Sequence, residues 1–219
     1  MTATPDPSSF DAVLFDMDGT LVDTEGAWFD AERELAAAHG VTLPLEARDV
    51  LHGLDARGLI TTLRDRYGLR ADPVAFLHEL QDTVIAHLAH AAARPGADAL
   101  VRHVAQADLP RAIVSNSPHA SIRATLTPHV WATQVPLRVS VDDVAHGKPH
   151  PDVYLAAAER LAVRPSRCLV IEDSVAGATA GVRAGATCVA VTFGDLPATA
   201  FRELTPHVVT SLSDLLPGP

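Results

Sequence analysis

The chain has 219 residues, 47% of them hydrophobic, and this length allows one sizeable core together with a smaller second unit. Its formal net charge of −10 favours a small-molecule partner, because nucleic acid and anionic membranes repel an acidic protein. Cys168 and Cys188 lie in apolar runs and predict no disulfide framework, in keeping with a reducing cytoplasm. The first ten residues lack the features of a signal peptide, and no apolar run reaches the length of a membrane span.

A short strand and a long helical stretch are the first predicted elements. Residues 11–16, an apolar run that ends in a carboxylate, predict a buried strand, and residues 17–24 predict a loop. From about residue 25 to residue 92 the pattern is helical throughout, with breaks at glycine and proline. The helices predicted within this stretch are 31–39, 58–67 and 74–92.

After residue 94 the pattern alternates between strands and helices. The predicted strands are 111–114, 137–140, 168–171, 187–191 and, more weakly, 207–210. The predicted helices are 97–107, 118–126, 151–161, 175–184 and a terminal segment. Such alternation predicts a parallel sheet that is covered on both faces. The expected fold is therefore α/β, with a doubly wound, Rossmann-like core of residues 1–22 and 93–219 and a helical insert of residues 23–92.

Two carboxylates project from the end of the first predicted strand, in the run Asp16-Met17-Asp18-Gly19-Thr20. One carboxylate can attack phosphorus to form an acyl phosphate, and a second can protonate the leaving oxygen. Gly19 permits a sharp turn and a close approach to a ligand. An acidic turn without function is the alternative. A calcium loop is not favoured, because its glycine would come later and a distal Glu is missing.

A hydroxyl follows the next strand, and a lysine lies in a later loop. Ser115 can donate to a phosphate oxygen, although a helix N-cap before Pro118 is an equal interpretation. Lys148 is the single lysine among 17 basic residues, and two prolines stiffen its loop. Its compact ammonium group can neutralise phosphate charge, a task for which a wide guanidinium group is no equivalent.

Adjacent carboxylates, Glu172 and Asp173, follow a further predicted strand. They suit a hard cation such as Mg²⁺, with capping of the next helix by Asp173 or Ser174 as the alternative. Ligands of doubly wound sheets lie beyond the carboxyl ends of the strands, so these acids should meet Asp16, Asp18 and Lys148 there. Such a cluster of like charges is unfavourable unless a cation or a phosphate group completes it.

These four segments, in this order, resemble the haloacid dehalogenase superfamily, and specifically its branch of β-phosphoglucomutase and small sugar-phosphate phosphatases. The likeness covers nearly the whole chain. It implies that Asp16 is the nucleophile and Asp18 the general acid and base. It also implies that Ser115 and Lys148 bind the transferring phosphoryl group. The Mg²⁺ ligands that it implies are Asp16, the Asp18 carbonyl, Asp173 and Glu172. Residues 23–92 correspond to the family's cap, which closes over the site and selects the substrate.

Several activities occur within this family, and the residues discriminate among them. Dehalogenases lack the acid at the position of Asp18, and phosphonate cleavage uses a cap lysine that is absent here. A mutase would have His in the first cap helix, where Trp28 stands, and Arg where Ala56 stands, although Arg57 is only one place away. Both departures favour a phosphatase over a mutase. A non-catalytic module that binds a phosphorylated ligand is the alternative from a different class.

We therefore expect a Mg²⁺-dependent phosphoric monoester hydrolase that acts on a small phosphorylated metabolite, a sugar phosphate, as a cytoplasmic monomer. Substrate selection is expected from the cap, because the core motifs handle only the phosphoryl group. The candidate substrate-binding residues are Glu25, Trp28, His52 and Arg57 in the cap and Asn116 in the core. The alternative is that Trp28 packs inside the cap and that Arg57 is solvated.

Overall fold

Short runs of aliphatic residues form a six-stranded parallel sheet in the computed structural model, which describes residues 4–51, 54 and 56–217. The strands are β1 Ala12–Phe15, β2 Arg111–Val114, β3 Leu137–Val139, β4 Cys168–Glu172, β5 Thr187–Val191 and β6 Val208–Val209. Their order is β3-β2-β1-β4-β5-β6, and every neighbouring pair is parallel. The direction of winding therefore reverses between β1 and β4, the place where such sheets bind ligands.

The helices divide between two units of the chain, one formed by Met1–Asp23 with Ala92–Pro219 and the other by Thr24–Ala91. The first unit holds α5 Ala97–Gln106, α6 His119–Leu126, α7 Asp152–Arg160 and α8 Val175–Arg183 as well as the sheet. The second holds α1 Glu25–Ala38, α2 Ala47–Leu51, α3 Ala56–Tyr67 and α4 Pro73–Leu88, and within its described residues there is no strand. The predicted α/β fold class with a parallel sheet is confirmed.

Both faces of the sheet are buried. Residues of one face, such as Leu14 and Val170, pack in a cluster with Val153, Tyr154 and Ala178 from α7 and α8. Successive strand residues point to opposite faces, so their neighbours along the strands face the other side. These neighbours are also fully buried, and they include Val13, Ile113, Leu169 and Val189. Two covered faces account for strands that read as continuous apolar runs instead of alternating ones.

The predicted terminal helix was wrong. The chain there forms only a 3₁₀ turn, Leu212–Leu215, with a capping box made by Ser211 and Asp214. Pro217 follows two residues later, and proline cannot continue a helix. No helix in the described part of the chain combines the length and apolar character that a membrane span requires.

Candidate active site

Three neighbouring strands place polar residues at one edge of the sheet. Asp16 follows β1, Ser115 follows β2, and Glu172 ends β4. In the register of the sheet, Phe15 of β1 lies beside Ile113 of β2 and Ile171 of β4. Because these strands are parallel and adjacent, their carboxyl ends meet at the point where the winding reverses. The structure thus brings together the segments that the sequence pattern singled out.

Lys148 lies at the centre of this group. Its Nζ donates to Asp16 Oδ1 at 2.5 Å, to Glu172 Oε1 at 2.7 Å and to the carbonyl oxygen of Val114 at 3.0 Å. An ammonium group has three protons, so each of them has an acceptor. The side chain is 5% exposed, and its Nζ lies 5.0 Å from the centre of the Tyr154 ring. This arrangement fixes a positive charge directly beside Asp16.

Glu172 has no exposed surface, and both of its carboxylate oxygens are engaged. Oε1 accepts a hydrogen bond from the Tyr154 hydroxyl at 2.8 Å in addition to the one from Lys148. Oε2 accepts from the backbone N of Asp173 and from the backbone N and hydroxyl of Ser174. A Cβ atom on Gly177 would lie 1.6 Å from Oε1, so only glycine fits at that position of α8. Glu172 therefore links Lys148 to the start of α8.

Asp18 is held asymmetrically. Its Oδ2 accepts from the Ser115 hydroxyl at 2.6 Å and from the Ser117 hydroxyl at 2.9 Å. Its Oδ1 is buried without a hydrogen-bond partner among the described residues, and the same holds for Oδ2 of Asp16. Buried polar atoms of native proteins are normally paired, so two such oxygens indicate a site that binds a ligand.

Asp173 contacts the loop that follows β1. Its Oδ1 accepts from the Thr20 hydroxyl at 3.0 Å. A Cβ atom on Gly19, whose φ is +83°, would lie 2.0 Å from Asp173 Oδ2, so both backbone angle and space require glycine. Carboxylate oxygens of Asp16, Glu172 and Asp173 lie within 4.8 Å of one another. The donor set is that of a hard divalent cation.

The charges of this cluster do not balance. Burial and the neighbouring Glu172 raise the pKa of Asp16 well above its ordinary value, although Lys148 acts in the opposite direction. Burial and Glu172 likewise raise the pKa of Asp173 to about 7. Burial alone would lower the pKa of Lys148, but Asp16 and Glu172 outweigh it and raise that pKa. Burial is the larger cause for the two aspartates, but an excess of negative charge contributes to the rise of all three pKa values, and a bound divalent cation would offset this excess.

Asn116, which is predicted to bind substrate, contacts the loop that carries Lys148. Its Oδ1 accepts from the backbone N of Lys148 at 2.8 Å, and its Nδ2 donates to the Lys148 carbonyl oxygen at 3.1 Å. These two bonds tie the loop after β2 to the loop before α7 and so place Lys148. The side chain of Asn116 is exposed, which leaves a contact with substrate as a prediction.

Three further predicted residues belong to the helical unit. Glu25 begins α1 and forms an ion pair with Arg48 at 3.4 Å. Trp28, also on α1, is 37% exposed, and Arg57 is exposed near the start of α3. His52 lies outside the described residues. The roles proposed for these four side chains remain predictions.

Sequence reasoning missed several residues of the site. Ser117 bonds to Asp18, Tyr154 bonds to Glu172, and Thr20 bonds to Asp173. Arg94 donates from Nε to the carbonyl oxygen of Gly19 at 2.9 Å. Thr20 ends the run that contains Asp16 and Asp18, and Ser117 lies two residues after Ser115, so their hydroxyls were a usable signal. Tyr154 reads as a core aromatic and Arg94 as a surface cation, and nothing in the pattern marks either.

Comparisons with known proteins agree with this geometry. The sequence model of the haloacid dehalogenase-like hydrolases matches residues 10–185. Hexitol phosphatase A of Escherichia coli (strain K12) is 36% identical over 186 residues, which cover 81% of each chain. The bifunctional riboflavin kinase/FMN phosphatase of Arabidopsis thaliana is 36% identical over 180 residues, and these cover 82% of this chain but 48% of that relative. The chain therefore spans about half the length of the second relative.

One solved structure is similar to this chain over almost the whole length of both proteins. It is a HAD family hydrolase of Deinococcus radiodurans R1 with bound phosphate and sodium, 33% identical, with a TM-score of 0.77. The match covers 95% of this chain and 94% of that one. The resemblance that the four motifs predicted is confirmed.

Proposed function

Because the chain belongs to the haloacid dehalogenase-like hydrolase family, we propose that it is a Mg²⁺-dependent phosphatase that forms an aspartyl-phosphate on Asp16. The observation that carries this proposal is the pair of buried, unpaired oxygens, Asp16 Oδ2 and Asp18 Oδ1. They lie in one cluster, beside a buried lysine and two serine hydroxyls. One free oxygen serves as the nucleophile and the other as the site of the acid proton.

In the first half-reaction, Oδ2 of Asp16 attacks phosphorus and the bond from phosphorus to the leaving oxygen breaks. Asp18 gives its proton to that oxygen, so that the product leaves as an alcohol. Lys148 holds Oδ1 of Asp16 and keeps the attacking carboxylate oriented. Ser115 can turn its hydroxyl from Asp18 toward a phosphoryl oxygen.

In the second half-reaction, Asp18 takes a proton from water as the water oxygen attacks phosphorus. The bond between Asp16 and phosphorus then breaks, which returns the carboxylate and releases inorganic phosphate. Both proton transfers use the same residue, in opposite directions, so the site ends the cycle in its starting state.

The two unpaired oxygens and the excess negative charge of the acidic cluster support Mg²⁺ as its ion. Asp16, Asp173 and the carbonyl of Asp18 would hold the ion. When bound, Mg²⁺ would offset charge on the phosphoryl group and orient it. Glu172 has hydrogen bonds on both oxygens, and we assign it the orientation of Lys148 in preference to direct metal binding.

The proposed substrate is a small sugar or polyol phosphate. The name of the 36% identical hexitol phosphatase supports this class, although that activity belongs to the relative. The helical unit, Thr24–Ala91, is proposed as the cap that selects the substrate, with Glu25, Trp28, His52 and Arg57 as contacts. A cytoplasmic location and a monomeric state stay predictions.

The test is phosphate release from a panel of sugar, polyol and aryl phosphates, with Mg²⁺, with chelator, and with Mg²⁺ restored. We expect activity that vanishes with chelator and returns with Mg²⁺. Ca²⁺ should replace it poorly, because its looser coordination misplaces the carboxylate. Full activity after exhaustive metal removal contradicts the metal assignment, and no release from any ester supports a binding module.

The mutase alternative is tested by product analysis with β-glucose 1-phosphate and a trace of glucose 1,6-bisphosphate. Trp28 and Ala56 stand at the two mutase positions, so we expect water to intercept the aspartyl-phosphate and free phosphate to appear. Rapid formation of glucose 6-phosphate with little free phosphate would overturn the phosphatase assignment in favour of a mutase.

A further inference from the structure

One oxygen of Asp18 carries two hydroxyl donors, and the other carries none among the described residues. Ser115 and Ser117 both donate to Oδ2, at 2.6 and 2.9 Å, whereas Oδ1 is buried and unpaired. A carboxylate oxygen accepts through two lone pairs, so both lone pairs of Oδ2 are occupied. When Asp18 is protonated, its proton must therefore be held on Oδ1.

The two serines cannot stay equivalent once a phosphoryl group binds. A hydroxyl has one proton, so Ser115 cannot donate to Asp18 and to a phosphoryl oxygen at the same time. Ser117 is then the donor that remains on Oδ2, and an oxygen that accepts a hydrogen bond holds a proton less readily than one that accepts none. We propose that Ser117 is a positioning residue that keeps Oδ2 occupied and so reserves Oδ1 for the proton given to the leaving oxygen. This inference rests on the proposed function.

The backbone around Ser117 is anchored on both sides. Its backbone N donates to Ser115 Oγ at 2.8 Å, and its carbonyl oxygen accepts from Ser140 Oγ at 2.7 Å. Ser140 is fully buried at the end of β3, where its own backbone N donates to Asp143. Ser115 and Ser140 thus hold the backbone of Ser117, and Asp143 holds Ser140, so that the Ser117 hydroxyl reaches Asp18.

Removal of the Ser117 hydroxyl leaves Oδ2 without any donor once Ser115 has turned to the phosphoryl group, so the two oxygens of Asp18 no longer differ in hydrogen bonding. The acid proton can then be held on either oxygen of Asp18, and only Oδ1 delivers it. The cost falls on esters whose leaving oxygen needs a proton. An acidic nitrophenol leaves readily as its anion, whereas phenol, with a pKa of about 10, needs protonation.

The test is the dependence of kcat/KM on the leaving group, measured for wild type and Ser117→Ala with a series of aryl phosphates from nitrophenyl to phenyl. This parameter covers the steps up to the aspartyl-phosphate, in which the leaving oxygen is protonated. We expect a loss of about tenfold with phenyl phosphate, the scale of one hydrogen bond, and less than about twofold with nitrophenyl phosphate. Ser117→Thr, which keeps a hydroxyl, should restore the wild-type slope.

Further measurements separate the outcomes. Ser166→Ala, at an exposed position of the 3₁₀ turn Pro165–Arg167, is the matched control and should leave the slope unchanged. Equal losses with all esters, or weaker inhibition by inorganic phosphate, would place Ser117 on the phosphoryl group and overturn the inference. An unchanged slope in a folded Ser117→Ala variant also overturns it. Failure of the wild-type chain to hydrolyse any ester contradicts the proposed function itself.

Discussion

The two units of the chain differ in how they pair a buried ionisable group. In the α/β unit, buried Lys148 makes three hydrogen bonds and buried Glu172 accepts five. In the helical unit, Glu32 on α1 is only 8% exposed, yet no hydrogen bond or ion pair joins its carboxyl to another described residue. Burial raises the pKa of Glu32 to about 7.

This difference shows what partners do for a buried ionisable group. A charge surrounded by matched donors and acceptors can stay ionised in a dry site, which is what catalysis needs. A carboxyl group without partners gives up its charge instead, because desolvation favours the neutral form. The dense pairing at the sheet edge is therefore typical of chemistry, and the lone Glu32 is typical of packing.

The first prediction addresses the paired cluster at its centre, and it carries the largest effect. Asp16→Asn should lower turnover by on the order of 10⁴-fold or more. A neutral amide is a poor nucleophile, and the residues of the cluster around Asp16 act as a unit. Two quantities are measured. One is phosphate release, and the other is the phosphoryl label that stays bound to the protein when turnover of a phosphoryl-labelled ester is quenched. The control is Asp11→Asn, at an exposed position just before β1. Substantial activity in Asp16→Asn rules out the covalent route.

The second prediction concerns the fit of the lysine. Lys148→Arg keeps the charge. However, three acceptors surround the single buried nitrogen of Lys148, and a planar guanidinium group with five donors does not fit among them. We expect kcat/KM to fall by roughly 10²-fold with the fold retained. Arg164→Lys, a similar exchange at an exposed position, should change nothing. Wild-type rates in Lys148→Arg would show that only the charge matters.

The third prediction tests the unpaired carboxyl. Folding raises the pKa of Glu32 from 4.5 to about 7, so between these values the folded chain holds a proton that the unfolded chain has released. Stability from this group is complete below pH 4.5 and is lost as the pH rises toward 7. Glu32→Gln should therefore match wild type at low pH and be more stable above pH 7, by up to roughly 3 kcal/mol.

Thermal unfolding at both ends of that pH range measures this difference. Glu46→Gln, at an exposed position of the same unit, should change stability equally at both pH values. A Glu32→Gln variant that is less stable than wild type above pH 7 would mean that the carboxylate is ionised and has a partner.

The fourth prediction is the smallest and concerns selection by the helical unit. Arg57→Ala should raise the KM of a preferred sugar phosphate by about tenfold or less and leave an aryl phosphate unaffected, because remote binding energy assists only the larger substrate. Arg66→Ala, farther along α3, is the matched control. Equal changes for both substrates would indicate that Arg57 acts on the fold and not on the substrate.

Much of the α/β unit could be predicted from sequence because its signals are local. Apolar runs predicted the strands β1, β2, β4 and β5 to within a residue or two, and the acids at the ends of β1 and β4 predicted the edge at which the strands meet. The short terminal 3₁₀ turn was not predictable as such, because its four residues carry the same apolar signal as a helix end. In the helical unit the pattern predicted helices but not the positions of their side chains.

Local residue patterns identified the charged groups of the site and the strand ends that carry its acids. Parallel strands order their carboxyl ends on one edge, so the pattern along the chain is enough. The hydrogen-bond partners became visible only in the folded chain: Ser117 bonds to Asp18 across 99 residues, Lys148 bonds to Asp16 across 132, and Asn116 bonds to the loop of Lys148. A hydrogen bond depends on angles and on distances near 3 Å, and a one-dimensional pattern does not encode such geometry between distant segments.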